Sequence, residues 1–104
     1  MLKKRYIKSR QVWKVTFELP EAELPEGIEA ESVHLVGEFN DWNEQATPMR
    51  RLRDGSFKAT LDLQTGRAYR FRYLIDAQTW ENDWEAHRYE PSAFAGVDDS
   101  VVDV

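Results

Sequence analysis

Apolar and polar residues alternate from Trp13 to Leu19, with Trp13, Val15, Phe17 and Leu19 on one face and Lys14, Thr16 and Glu18 on the other. A period of two is that of a half-buried strand, so this segment is the first strand expected. Pro20 and Pro25 lack the backbone donor a ladder needs and bracket an acidic stretch, which reads as a loop crossing the edge. From Ser32 to Gly37, Val33 and Leu35 face one side and His34 and Val36 the other, the pattern of a strand covered on both faces. Met49 to Arg53 then leads into Asp54-Gly55, a dipeptide suited to the positive backbone angles of a tight hairpin turn. Phe57, Ala59, Leu61 and Leu63 alternate with polar neighbours up to a second turn at Thr65-Gly66, after which Tyr69, Phe71, Tyr73 and Ile75 do the same. Two successive hairpins predict a meander. Gln78 to Pro91 is aromatic and charged without a clean period, and Ser100 to Val104 is a short β-branched ending.

Strands spaced by turns, with no helix beyond about two turns, predict an all-β, immunoglobulin-like antiparallel β-sandwich. Its expected inward residues are Trp13, Val15, Phe17, Val33, Leu35, Phe57, Leu61, Tyr69, Phe71 and Tyr73. At 104 residues the chain is one domain that buries only about two-thirds of its unfolded surface, so a large enclosed active-site cavity is not expected.

Charge changes the picture at one end. Nineteen acidic against fourteen basic residues give a net charge of −5, the wrong sign for a general nucleic-acid binder. Yet Lys3, Lys4, Arg5, Lys8, Arg10 and Lys14 leave the first 14 residues without an acid. A terminal basic run is ordinarily a solvated tail, so residues 1–11 are expected as a basic arm and 12–104 as the sandwich. The absence of cysteine removes disulfides and thiolate metal sites. No apolar run suits a membrane span or a signal peptide, so a cytoplasmic location with neither membrane nor nucleic-acid partner is expected.

The case for catalysis is thin. His34 reads as a structural strand residue, and neither it nor His87 lies in a metalloprotease or nucleophile-elbow pattern. Asp83 and His87 alone make a poor metal site, and there is no glycine loop for phosphate, so neither metal nor cofactor is expected. Glu81, Asp83 and Glu85 read as a solvated acidic loop rather than the spaced carboxylate pair of a glycosidase. Tryptophans outside the periodic strands stand out instead: Trp42 in Phe39-Asn40-Asp41-Trp42-Asn43, with Trp80 and Trp84 in the late loop. Pyranose rings stack on flat aromatic surfaces, and Asn40, Asn43, Arg72, Gln78 and Asn82 offer partners for sugar hydroxyls.

The run Val33-His34-Leu35-Val36-Gly37-Glu38-Phe39-Asn40-Asp41-Trp42, the Asp54-Gly55 hairpin, Tyr69 to Asp76 and the Ser100 to Val104 ending together resemble the family 48 carbohydrate-binding modules. These are the early-set domains at the front of isoamylases and glycogen branching enzymes and the glycogen-binding domain of the AMP-activated protein kinase β subunit. The resemblance implies a non-catalytic module for α-1,4-glucan such as glycogen, starch or maltooligosaccharide, working beside a separate glycogen-metabolising enzyme. It places Trp42 at the first stacking tryptophan, Arg72 at the usual lysine that contacts sugar hydroxyls, and Trp80 near the second stacking tryptophan, with Trp84 as its substitute. Phe94 sits near the apolar residue that leans into the glucan, and Asp98 or Asp99 near a hydroxyl-binding asparagine. The sequence departs from that pattern at Ala77, where a turn glycine is common, at Arg72 and at Asp98-Asp99. The alternative is an early-set interaction domain that recruits a protein without sugar binding.

Overall fold

The computed structural model describes residues 1–25, 29–93 and 96–104. Nine strands are present among them: β1 Leu2–Ile7, β2 Val12–Leu19, β3 Val33–Gly37, β4 Arg50–Arg51, β5 Phe57–Gln64, β6 Ala68–Ile75, β7 Thr79–Glu81, β8 Arg88–Pro91 and β9 Asp98–Asp103. They form two antiparallel sheets, one ordered β1-β2-β5-β4 and the other β3-β6-β9-β8, with β7 also paired to β6. This is the expected immunoglobulin-like sandwich, and its only helical pieces among the described residues are single 3-10 turns at Glu21–Glu23 and Glu38–Asn40.

Alternation decides the core. Val15, Phe17, Leu19, Phe57 and Leu63 from one sheet meet Val33, Leu35, Tyr69, Phe71, Tyr73, Ile75 and Val102 from the other, all buried. Leu61 is partly buried against this cluster, and so is Trp13, which sits at its rim against Tyr6, ring centroids 5.2 Å apart. Val36, Leu74 and Val101 are also buried but lie outside the inter-sheet cluster, so the second sheet is covered on its outer face as well.

Two expectations fail. Residues 2–7 are not a solvated tail but edge strand β1, paired with β2 from Leu2↔Phe17 to Ile7↔Val12. The Lys4 ammonium lies 4.7 Å from the Trp13 ring centroid and donates to the Asp103 carbonyl at 2.8 Å, so its stem covers apolar surface while its charge stays outside. Nor is there a meander through Thr65-Gly66: β5 pairs with β2 and β4, whereas β6 pairs with β3, β7 and β9. The turn crosses between sheets because the Gly66 and Arg67 amides donate to the Val104 carbonyl, at 2.7 and 3.1 Å, instead of closing a ladder.

The hairpin from β6 to β7 carries strain. Asp76 and Ala77 both have positive φ, 51° and 57°, and the Gln78 amide donates to the Ile75 carbonyl at 3.0 Å, a type I′ turn. Asp76 accepts the Glu31 and Ser32 amides at 2.8 and 2.9 Å, which fastens the entry to β3, but Ala77 has no side chain to compensate for the left-handed backbone. Ala77→Gly is therefore expected to stabilise the domain by about 0.5–1 kcal/mol, the left-handed penalty less the entropy glycine adds to the unfolded chain. Thermal denaturation checks this; a lower midpoint in the variant would refute it.

Candidate carbohydrate-binding site

The segment from Gly37 to Trp42 is built from the core outward. A Cβ at position 37 would lie 2.5 Å from the Arg70 carbonyl oxygen and 2.8 Å from the Phe71 Cβ, so only glycine lets β3 approach β6 this closely. Phe39 then turns inward, its ring 5.4 Å from Phe17 and 6.1 Å from Tyr69 between centroids. Asn40 closes the loop by accepting from the Gly37 amide at 3.1 Å and donating to the Leu35 carbonyl at 2.8 Å and Thr47 Oγ1 at 3.0 Å. It is thus a scaffold residue, with its amide committed to the protein.

Asp41 and Trp42 follow at φ 56° and 57°, and the Trp42 amide donates to the Gly37 carbonyl at 2.8 Å. A bulky residue in the left-handed region costs about 1–2 kcal/mol and persists only where its surroundings hold it. Here the turn projects the indole outward, 37% exposed.

Trp80 reaches the same surface from β7. Its partner across the strands is Leu74, and Leu74 pairs with His34 on its other side, so the three share the outer face of the second sheet. Arg72, two residues before Leu74 on that face, places its guanidinium 5.0 Å from the Trp80 ring centroid. Asp99 of β9, almost fully buried, lies 3.1 Å from Arg72 Nε and 3.4 Å from Arg70 Nη1. The Arg72 contact is an ion pair too bent to be a hydrogen bond. Cation–π contact and carboxylate together pin the guanidinium against the ring.

Trp42, Arg72, Trp80 and Asp99 thus line one open groove of about 930 Å³, together with Glu44, Arg70, Pro91, Ser92, Ala93 and Val97. Two other candidates fall elsewhere. Trp84 is 60% exposed but does not line the groove; its amide donates to Glu23 Oε1 at 3.4 Å. Asp98, one residue out of phase with Asp99 on β9, is exposed away from the groove lining, and its carbonyl accepts from Asn82 Nδ2 at 2.8 Å. Phe94 lies outside the described residues. Val97 had no sequence signal, and for Arg70 the one hint was the alternation Arg70-Arg72 across Phe71, which puts both arginines on one face.

The solvated acidic loop at residues 81–85 is corrected at its centre. Asp83 is fully buried, accepting from the Tyr73 hydroxyl at 2.6 Å and the Glu85 amide at 2.7 Å and pairing with the Met1 ammonium. Burial, reinforced by the Asp83 charge, pushes the Tyr73 phenol well above its ordinary range, so it stays a neutral donor. Burial likewise raises the Glu23 carboxyl, against the opposing pull of the Met1 ammonium.

A family model, carbohydrate-binding module 48 (isoamylase N-terminal domain), matches residues 28–91, more than half of the chain. The chain belongs to this family. No curated protein sequence matches the chain significantly. The match spans the Gly37 to Trp42 segment, Arg72 and Trp80, and the family 48 modules are non-catalytic binding domains for carbohydrate. No helix among the described residues is long and apolar enough to cross a membrane.

Proposed function

We propose that this family 48 module binds α-1,4-glucan by stacking glucose rings on Trp42 and Trp80. One observation carries the reading: two exposed indoles, 38 positions apart in sequence, line a single open groove floored by arginine and carboxylate. The apolar faces of the sugars meet the rings, while their hydroxyls find donors and acceptors in the floor. Arg72 still offers the terminal N–H groups beyond the one facing Asp99, and Asp99 accepts but cannot donate. The module itself performs no hydrolysis and acts in the cytoplasm beside an enzyme on glycogen or starch.

Stacking on an open groove leaves much of each sugar solvated, so dissociation constants from tens of micromolar to millimolar are expected. Titration with maltoheptaose or β-cyclodextrin, followed by tryptophan fluorescence and calorimetry, measures this. Trp42→Ala and Trp80→Ala are each expected to weaken binding at least about tenfold, a loss of about 1.4 kcal/mol, whereas Trp84→Ala changes it little. A folded wild type without a saturable response to several millimolar sugar would remove the glucan reading.

A further inference from the structure

The outer face of the first sheet is a second surface of opposite character, on the side of the sandwich away from the groove. Strand register places Lys3 and Arg5 of β1, Lys14 of β2, Lys58 of β5 and Arg50 of β4 on it, against only Glu18 and Asp62. Asp62 is already taken by Arg10 at 2.9 Å. None of the five cations lies within ion-pair distance of a carboxylate among the described residues, whereas Arg70, Arg72 and Arg88 on the other sheet are all paired, with Asp99, Glu90 or Asp103.

Arrangement makes this more than a count. Arg5 stands directly across from Lys14, and Arg50 directly across from Lys58; each lysine has an acid across its other side, Asp62 and Glu18, but the two arginines lie on edge strands and face only a like charge. Like charges opposite one another on a sheet destabilise it, and a chain with net charge −5 has acidic residues enough to avoid the pairing. A local rule broken without a gain inside the chain points to a partner outside it.

We propose that this face docks an acidic protein surface, leaving the glucan groove free. Carboxylates of the partner would pair with the two edge arginines. Nucleic acid fits less well: the face carries no aromatic residue for base stacking and, being a flat ladder with Thr16 and Thr60 hydroxyls 3.3 Å apart at its middle, has no element to enter a groove. A membrane fits less well too, since the strand residues on this face include only two apolar ones, the half-buried Ile7 and Val12 at one end, too few for an anchor. The cations span three strand spacings, about 14 Å, so the contact is small, weak and salt-sensitive.

The test uses fluorescent polyglutamate as the acidic probe, with anisotropy read at about 50 mM salt, where exposed charges are less screened. Saturable binding by the wild type is expected, weakened at least about tenfold in Arg5→Glu/Arg50→Glu and unchanged by saturating maltoheptaose. The same variant turns both like-charged pairs into opposite-charged ones, so its melting temperature is expected to match or exceed the wild type's. Absent binding, full binding by the variant, competition by maltoheptaose or a lowered melting temperature would each overturn the proposal. So would tighter binding to duplex DNA or to phosphatidylserine vesicles than to polyglutamate.

Discussion

Phe71→Ala is expected to cost about 3–5 kcal/mol of folding stability, much of what a domain of this size possesses. The ring is fully buried at the centre of an aromatic cluster, edge-on to Phe17 at 5.0 Å and to Tyr73 at 5.8 Å, with Phe39 at 6.4 Å between centroids. Its removal leaves a cavity between two sheets whose backbones are fixed by ladders on both sides of β6, so collapse is restricted. Trp13→Ala is the informative comparison. By residue size alone it should be the worse loss, but Trp13 sits at the rim, with Nε1 donating to Thr65 Oγ1 at 3.3 Å near solvent. A smaller cost of about 1–2 kcal/mol is expected there, since only part of the side chain leaves an apolar environment. Urea denaturation of the two variants decides it, and a midpoint for Phe71→Ala at or above that of Trp13→Ala would contradict the assignment of the core.

Gly37→Ala is expected to damage fold and site together. The added methyl would meet a backbone oxygen and the core at distances no real Cβ tolerates, and the backbone oxygen cannot rotate away as the end of a flexible side chain could. A loss of about 3 kcal/mol is expected from this overpacking. The Gly37 carbonyl also holds the Trp42 amide, so separating β3 from β6 lets the left-handed turn relax and the indole leave the groove. Glucan affinity should therefore fall even at a temperature where the variant remains folded. Gly66→Ala serves as control: open space surrounds its Cβ position, so it bears only the cost of its positive φ, about 1–2 kcal/mol, and should leave affinity intact. Equal stability losses in the two variants, with sugar binding unaffected in Gly37→Ala, would show that close approach at Gly37 does not organise the site.

The candidate site was legible in part. Trp42 and Trp80 announced themselves as aromatics outside the periodic strands, and the resemblance to family 48 modules joined them to Arg72. The choice between Trp80 and Trp84 was not available from spacing, because both sit in a segment without a period. Which of the two lines the groove follows from the strand pairing of Trp80 with Leu74 and from the anchoring of Asp83 beside Trp84. Asp98 and Asp99 are likewise neighbours in sequence with separate fates, since β9 is in register with β6 and only one of the two can face Arg72.

By itself the sequence determined which residues face inward, because alternation with period two records the pleat directly and a one-residue slip would turn every apolar side chain to water. It also determined where the chain turns, because Asp54-Gly55 and Thr65-Gly66 supply backbone angles that other residues resist. What only the tertiary structure decided was partnership. β5 and β6 follow each other through a tight turn yet belong to different sheets, and β1, whose pattern Leu-Lys-Lys-Arg-Tyr-Ile shows no alternation, is a strand because the β2 backbone accepts it as a neighbour. Backbone hydrogen bonds are the same for every residue type except proline, so they join strands with little mark on the sequence. The burial of Asp83 was decided in the same way, by a hydroxyl ten residues away and an ammonium at the other end of the chain, contacts that exist only once the sheets have closed.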